Sequence, residues 1–273
     1  MKKLVTLFSL LITAICVNAY DVVVNEMCYD LDNENMTATV VQDKSYVYQY
    51  LGDIVIPETI NANGKTYTVN RIGEYAFFYS KGLTSVTIPE TVEKIDTYAF
   101  SYCDLLEELT IPSKVKVIEN YTFSDDINLK VINLPEGLET IGEGAFYNCA
   151  IESITLPATM KEISGTWTFN MCKSLKEIHA NMTKPMNIGQ NTFDQAQYDG
   201  ATLYVPTGTK AVYEETMYWD MFANIVEEKV TPTGIKNAAV EETEDGKMYD
   251  LQGRRIYAPV KGVYIQNGKK IVK

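Results

Sequence analysis

Phenylalanine recurs at an almost constant spacing through the middle of the chain. The intervals are 23 residues four times and then 24, between Phe77, Phe100, Phe123, Phe146, Phe169 and Phe193. Self-similarity at a fixed period of this length is typical of solenoids, in which each repeat is one supersecondary unit stacked on the next. The spacing therefore predicts a stack of similar coils.

Each repeat also carries a short aliphatic strand that ends in proline. About eleven residues after the phenylalanine comes a segment such as Val86-Thr87-Ile88-Pro89, preceded by an apolar residue in a Leu-x-x-Leu-x-Leu pattern. Proline ends the strand because it cannot donate the next ladder hydrogen bond. Further inward apolar positions follow four and seven residues after the strand, as at Val92 and Ile95. One repeat cannot bury all of them alone, so we expect each coil to add one strand to a parallel sheet and to cover its neighbour.

The string Ile-Pro-x-x-Val-x-x-Ile-x-x-x-Ala-Phe-x-x-Cys, which runs from Ile88 to Cys103, resembles the BspA-like leucine-rich repeats of bacterial surface proteins. It recurs through residues 50–206, about half of the chain. The resemblance implies a β-rich leucine-rich repeat solenoid with coils of about 23 residues and a parallel sheet. It also implies adhesion-type roles, including attachment to host matrix proteins.

The regions outside the repeats predict caps and terminal signals. We divide the chain into a signal peptide (1–19), an N-terminal β cap (20–50), the solenoid (51–206), a C-terminal cap (207–229), a linker (230–247) and a tail (248–273). Asn63-Gly64 predicts a hairpin turn near the start of the solenoid. Leu203–Pro206 reads as the last of seven strands in a sheet about 29 Å across. Helical spacing from Thr209 onward predicts a helical cap that buries Trp219, Phe222 and Ile225.

Residues 1–19 have the pattern of a secretory signal peptide. Lys2 and Lys3 precede an apolar run that is shorter than the roughly 20 residues of a transmembrane helix. The small side chain of Ala19 places cleavage between Ala19 and Tyr20. A lipoprotein with Cys16 acylated is the alternative, but the bulky Ile15 precedes that cysteine, so we favour simple cleavage and an exported protein.

The tail predicts paired strands with a hairpin turn at Asn267-Gly268. Its segments Tyr249–Arg254 and Lys261–Tyr264 resemble the C-terminal sorting tails of proteins exported by the type IX system of Bacteroidetes-like bacteria. This resemblance implies a Gram-negative source, export machinery as a partner of the tail, and a secreted or outer-surface-anchored protein.

Charge and histidine content exclude several classes of function. The chain has 36 acidic and 24 basic residues and a net charge of −12, which becomes −14 without Lys2 and Lys3. Such a surface repels phosphate backbones, so we expect no nucleic-acid partner. A single histidine excludes multi-histidine zinc centres, and no Cys-x-x-Cys is present. We therefore expect a non-enzymatic binding protein without cofactor or metal; the alternative is a secreted carboxylate-based hydrolase or an enzyme accessory module.

Three cysteines share one slot of the repeat. Cys103, Cys149 and Cys172 each stand three residues after the phenylalanine. Cys149 and Cys172 lie on neighbouring coils and could approach disulfide distance, but side chains of one ladder point the same way. We favour reduced, buried thiols over a bridge. Asp30–Glu34 hints at a calcium loop, but Asn35 replaces the required glycine, which favours a polar hairpin turn.

Two surfaces of the predicted solenoid are candidates for ligand binding. Tyr75, Tyr98 and Tyr121 each stand two residues before the phenylalanine, and Tyr79 and Tyr102 stand two residues after it. This aromatic stripe is either a ladder that stacks on itself or a binding surface for an extracellular protein or a glycan. The outward slot of the predicted sheet is the second candidate, with Thr110, Asn133, Thr155 and His179. A Ser-His-Asp triad through His179 has no Gly-x-Ser-x-Gly elbow to support it.

Overall fold

The computed structural model describes residues 20–43 and 50–230, together with the backbone of four short strands between residues 248 and 272. The predicted signal peptide, with Ala19, lies outside the described residues, as does the predicted linker apart from its first residue. The chain forms two units, residues 1–232 and 233–273.

Short strands make up most of the first unit. Their bounds are β1 (Val22–Val24), β2 (Met27–Asp32), β3 (Thr37–Val41), β4 (Gly52–Val55), β5 (Thr59–Ala62), β6 (Lys65–Ile72), β7 (Leu83–Thr87), β8 (Lys94–Ile95), β9 (Glu108–Thr110), β10 (Val117–Ile118), β11 (Val131–Asn133), β12 (Thr140–Ile141), β13 (Ser153–Leu156), β14 (Glu162–Ile163), β15 (Glu177–Ala180), β16 (Thr202–Pro206) and β17 (Asn224–Glu228). Two short helices are α1 (Gln195–Gly200) and α2 (Lys210–Glu214). The second unit contains β18 (Met248–Tyr249), β19 (Arg255–Ile256), β20 (Val263–Gln266) and β21 (Lys269–Val272).

The aliphatic strands of the repeats, most of which end at or near a proline, form the predicted parallel sheet, here called the front sheet. It runs in three hydrogen-bonded segments, β4–β7, β9–β11 and β13–β15–β16–β17, with one strand from each coil. Equivalent aliphatic residues pair in register, for example Leu109 with Ile132 and Ile154 with Ile178. These side chains are buried, while the residues between them face outward. The predicted solenoid is confirmed.

A second parallel sheet runs along another wall of the solenoid. It contains β3, β6, β8, β10, β12 and β14, and the last four are strands of only two residues. Ile72, Ile95, Ile118, Ile141 and Ile163 pair in register along it. The sequence identified these isoleucines as inward-facing but did not predict that they belong to strands.

The repeated phenylalanines form one continuous column inside the solenoid. Neighbouring rings stack with centroids 4.9 to 5.5 Å apart. Phe100 and Phe123 are fully buried, as the repeat requires. Tyr50 covers one end of the column with its centroid 4.7 Å from that of Phe77. The column therefore continues through all the coils as part of one core.

The N-terminal end is closed by hairpins. Strands β1, β2 and β3 are antiparallel neighbours, and β3 then pairs in parallel with β6 of the second sheet. The β5–β6 hairpin places Asn63-Gly64 at its turn, as predicted. The acidic segment Asp30–Glu34 lies in the β2–β3 hairpin, where Asp32 accepts hydrogen bonds from the backbone of Glu34 and Asn35. This is the polar turn that the sequence favoured over a calcium loop.

The predicted helical cap is present but minor, since only helix α2 is helical. Helix α2 has only five residues, and β17 then adds an eighth strand to the front sheet within the described residues. The chain leaves the helix because Trp219 donates a hydrogen bond to the Met186 carbonyl and Phe222 packs on Phe193, at a centroid distance of 5.2 Å. The open edge of β16 then offers backbone partners to β17. Trp219, Phe222 and Ile225 are buried, as expected.

The tail unit is a small antiparallel sheet. Strand β18 pairs with β19 and β20, and β20 pairs with β21. Gln266 and Lys269 are register partners, while the predicted turn residues Asn267-Gly268 lie outside the described residues. Across the part of the chain that the structure describes, no helix is long and apolar enough to cross a membrane.

Candidate functional site: an aromatic groove

Two positions in each of the five coils from Phe77 to Phe169 adopt the left-handed backbone conformation. We call them the first column, two residues before the phenylalanine, and the second column, two residues after it. Their φ angles lie between 53° and 64° in Tyr75, Tyr98, Tyr121, Gly144 and Trp167 of the first column and in Tyr79, Tyr102, Asp125, Asn148 and Met171 of the second. This conformation costs roughly 1–2 kcal/mol for most residues and favours glycine, asparagine and aspartate. Tyrosine and tryptophan are thus unfavourable choices for the backbone here.

Hydrogen bonds between coils explain why the backbone needs this conformation. The backbone N–H groups of Tyr98, Phe100 and Tyr102 all donate to carbonyls of the next coil, at 3.2, 2.9 and 3.0 Å. The same pattern repeats along the solenoid and forms a third inter-coil ladder. The ladder accounts for the left-handed geometry, but it does not account for aromatic side chains at these positions.

The predicted tyrosine stripe exists. Tyr75, Tyr98 and Tyr121 stack with centroids 5.1 Å apart at each step and ring planes within 6° of parallel. Tyr79 and Tyr102 form a second, tilted pair at 5.5 Å. All five rings are at least partly exposed, and Tyr79 reaches 47% exposure. The rings therefore stack on each other as a ladder, and their edges remain accessible.

A groove lies between the two columns. Its floor is formed by the residues that directly follow each phenylalanine. These residues are bulky at Phe78 and Tyr147 and small at Ser101 and Ser124. Phe78 fills the space at one end, with its ring 5.3 Å from Tyr75 and 5.8 Å from Tyr102. Beyond it the serines leave a cavity of about 460 Å³, lined by Tyr98, Ser101, Tyr102, Tyr121, Ser124, Asp125, Tyr147, Trp167 and Asn170. We call this cavity the aromatic groove.

Trp167 and Gly144 are parts of this site that the sequence analysis missed. Trp167 stands two residues before Phe169, so the register of the first column would have identified it. It is 45% exposed. Gly144 occupies the slot between Tyr121 and Trp167 and has no side chain, and a Cβ there would lie 2.3 Å from Cε1 of Tyr121. The column of rings is therefore interrupted at this one coil.

Carboxylates lie beside the rings of the groove. The Tyr121 hydroxyl donates a hydrogen bond to Oε1 of Glu143 at 2.5 Å, and burial, together with this carboxylate, raises the pKa of Tyr121 to about 12. The negative charge of Asp125 and burial raise the pKa of Tyr102. Both phenols therefore keep their protons at neutral pH and remain hydrogen-bond donors. None of the groove-lining residues is a lysine or an arginine.

The outward residues of the front sheet form a separate polar surface. Asn133 donates a side-chain hydrogen bond to Thr110 at 3.1 Å, and Thr155 is the register partner of His179. The His179 ring stacks on Tyr204 at 4.6 Å, and its Nδ1 lies 2.6 Å from Oε1 of Glu228. Its side chain is only 14% exposed. His179 is thus held in place by Tyr204 and Glu228.

The stacked cysteines are free thiols inside the core. The Sγ atoms of Cys103, Cys149 and Cys172 donate to backbone carbonyls of Phe77, Phe123 and Phe146, at 3.3, 3.0 and 3.0 Å. Burial raises the pKa of all three thiols, to about 12 in Cys172. These side chains therefore act as small buried groups, as the sequence favoured.

A second cavity of about 610 Å³ near the N-terminal end contains several acids. It is lined by Asp30, Thr39, Val41, Gln42, Arg71, Gly73, Glu74, Tyr75 and Asp96. Asp96 forms ion pairs with Arg71 at 2.5 Å and with Lys94 at 3.1 Å, so two cations lie beside its carboxylate. In the described ranges no group of three His, Cys, Asp or Glu side chains is arranged to hold a metal ion.

Comparison with known proteins identifies the repeat. The model of the BspA type leucine-rich repeat region matches residues 39–176 in six copies, which is half of the chain. The chain belongs to the BspA-type leucine-rich repeat family. The comparison of this BspA-type chain with curated proteins finds no match.

The fold is similar to that of one solved structure in particular. A leucine-rich repeat protein from Bacteroides ovatus is 27% identical with a TM-score of 0.59, over 68% of this chain and 55% of that one. This BspA-type chain thus spans little more than half the length of that protein. A T. pallidum leucine-rich repeat protein is 18% identical with a TM-score of 0.49, over 70% and 93% of the two chains. A leucine-rich cell surface protein from Faecalibacterium prausnitzii is 19% identical with a TM-score of 0.42, over 75% and 72%.

Proposed function

We propose that this protein is a non-enzymatic binding protein that recognises an extracellular protein or glycan through the aromatic groove. The observation that carries the proposal is the placement of Tyr75, Tyr98, Tyr121 and Trp167 at left-handed positions. Residues held in such sparsely populated conformations cluster at functional sites. Glycine or asparagine would satisfy the backbone at lower cost, as at Gly144 and Asn148, so the aromatic side chains have a role beyond the ladder of hydrogen bonds.

The shape and chemistry of the groove support binding. A concave surface lined by aromatic rings with polar tips combines large contact area with directional hydrogen bonds. The Tyr121 and Tyr102 hydroxyls and the serine floor supply the polar groups, and the stacked rings supply a rigid wall. The curved, repetitive surface of a leucine-rich repeat solenoid is also of the kind that extended binding surfaces use.

The terminal segments support a location outside the cytoplasm. Residues 1–19 direct export, and the tail addresses the protein to type IX export machinery, which makes it secreted or anchored at the outer surface of a Bacteroidetes-like bacterium. On this proposal the aromatic groove meets ligands of the host or of the surrounding matrix.

The test is capture by the mature protein, residues 20–273, on an array of matrix proteins and glycans. The triple variant Tyr75→Ser, Tyr98→Ser, Tyr121→Ser should abolish capture and leave the circular dichroism spectrum unchanged, because the ladder uses only backbone groups. The matched control changes Thr110, Asn133 and Thr155 of the front sheet to alanine and should retain capture. The opposite outcome, with capture lost only in the control, would move the site to the front sheet.

A further inference from the structure

Four side chains that line the aromatic groove have hydrogen-bonding groups without a partner. They are the hydroxyls of Tyr98 and Tyr147, the indole N–H of Trp167 and the amide of Asn170, and none of them is hydrogen-bonded within the part of the chain that the structure describes. All four side chains are at least partly exposed. Their donors and acceptors are therefore available to a ligand in the groove.

The backbone of the groove, in contrast, offers no donor to a ligand. Each of the nine lining residues donates its backbone N–H to a carbonyl of its own coil or of the next one, as Ser124 does to Tyr121 at 3.3 Å and Tyr98 to Asn120 at 3.2 Å. Strand addition, which holds many extended peptides, requires free backbone groups along an edge, and many anion sites also use backbone N–H groups. Recognition in this groove must therefore come from side chains.

The carboxylates beside the groove are already hydrogen-bonded. Asn148 donates to one oxygen of Asp125 and Ser124 donates to the other, while Glu143 accepts from the Tyr121 hydroxyl. These negative charges repel an anionic ligand, and the described lining includes neither lysine nor arginine to offset them. The groups that remain free for a ligand are all uncharged.

The free groups are spread along the axis of the solenoid. Tyr98 stands two residues before Phe100, whereas Trp167 and Asn170 stand on either side of Phe169. The coils of these two phenylalanines are three steps of 5.4 to 5.5 Å apart, about 16 Å in all. A ligand that uses the free groups at both ends must therefore be elongated.

We propose that the aromatic groove binds an uncharged oligosaccharide. The inference rests on the proposed binding function and narrows its ligand from an extracellular protein or glycan to a glycan without acidic groups. Sugar hydroxyls both donate and accept hydrogen bonds, as do the hydroxyls of Tyr98 and Tyr147 and the amide of Asn170. The apolar C–H face of a sugar ring packs on an aromatic ring, and Trp167, which is 45% exposed, provides that surface.

The chain carries its own reporter for this site. Of its two tryptophans, Trp167 lines the groove and Trp219 is fully buried. We would titrate the mature protein with tetrasaccharides of glucose, of mannose and of galactose, and with the tetramers of the corresponding uronic acids. At least one neutral tetrasaccharide should change the Trp167 emission and bind about tenfold or more tightly than its uronic-acid counterpart.

Variants separate the groove from the rest of the surface. Tyr147→Phe removes one free hydroxyl and keeps the ring, and it should weaken binding of that neutral tetrasaccharide about three- to tenfold by calorimetry, as expected for one hydrogen bond. Trp167→Asn removes the indole and should weaken binding by about tenfold or more; asparagine suits the left-handed backbone at this position. Tyr204→Phe is the matched control, because it removes the same hydroxyl from a partly exposed position on the front sheet and should change affinity less than about twofold.

Three results would overturn the inference. Failure of every neutral tetrasaccharide to bind, or equal binding of the uronic-acid counterpart, would exclude an uncharged glycan as the ligand. A loss in Tyr147→Phe no larger than that in Tyr204→Phe would place the sugar outside the groove. If array capture depends on Tyr75, Tyr98 and Tyr121 but is confined to matrix proteins without glycans, the glycan assignment fails and the binding function stands; if capture is independent of these tyrosines, the proposed function itself fails.

Discussion

Phe123 lies in the middle of the phenylalanine column and provides the most direct test of the core. Its ring is fully buried and stacks on Phe100 at 5.5 Å and on Phe146 at 5.4 Å. Burial of about 150 Å² of aromatic surface at roughly 25 cal/mol per Å² stabilises the fold by about 4 kcal/mol. Phe123→Ala should therefore lower the free energy of unfolding by about 3–5 kcal/mol, which includes the cavity left behind.

Thermal unfolding followed by circular dichroism measures the effect. For a chain of this size each kcal/mol shifts Tm by about 2–4 °C, so we expect a decrease of about 6–20 °C. Phe78→Ala deletes the same ring from a partly exposed position one residue after Phe77 and should lower Tm by less than half as much. Hydrogen exchange should rise most in the coils next to Phe123, because coils are coupled mainly to their neighbours. An unchanged Tm for Phe123→Ala, or equal losses in the two variants, would refute the assignment of the column as core.

Three further predictions concern buried groups and the tail. Burial raises the pKa of Asp126 well above its ordinary 3.8, so the folded state retains a proton that the unfolded chain loses, and the free energy of unfolding falls as pH rises above about 4. Asp126→Asn should raise Tm more at pH 7 than at pH 4; a larger gain at pH 4 would contradict this. Iodoacetamide should label Cys103, Cys149 and Cys172 slowly in the native protein at pH 8, because the thiolate is the nucleophile and burial raises each pKa; rapid modification seen by mass spectrometry would argue against the buried stack. A chain that ends at Lys229 should melt like its parent in a neutral host but accumulate in the periplasm of the native bacterium, and surface display at parental levels would contradict the sorting role of the tail.

The sequence predicted the front sheet and the phenylalanine column because both depend on side-chain burial that repeats in register. The second sheet was not predicted, since a two-residue strand such as Val117–Ile118 is too short to show an alternating pattern. The helical cap is shorter than its spacing suggested for a tertiary reason: Trp219 and Phe222 have helical spacing, but they lie beyond α2, where they contact Met186 and Phe193. Local periodicity could not show that residues 224–228 would form a strand, β17, that pairs with the edge strand β16.

The aromatic residues of the candidate site were predictable from the register, but the geometry of the groove was not. Register alone places Tyr75, Tyr98 and Tyr121 in one line, and the same register reaches Trp167. The left-handed backbone at these residues contradicts their local preference and arises only when neighbouring coils exchange hydrogen bonds. The groove depends in turn on small floor residues such as Ser101 and Ser124, whose significance is visible only once both columns are in place.

The hydrogen bonds between coils run along the axis of the solenoid, and this determines how the protein would respond to force. A pull applied between residues 50 and 230 loads the coils in series, so one terminal coil at a time should peel away instead of the whole unit rupturing together. Each coil of 23 residues extends to about 76–83 Å when stretched and replaces a rise of about 5 Å, so every step should lengthen the molecule by about 70–80 Å. If a bound partner pulled on the protein, the force between them should therefore drop in a regular series of small steps. At each step the unfolded chain between them should lengthen by one coil.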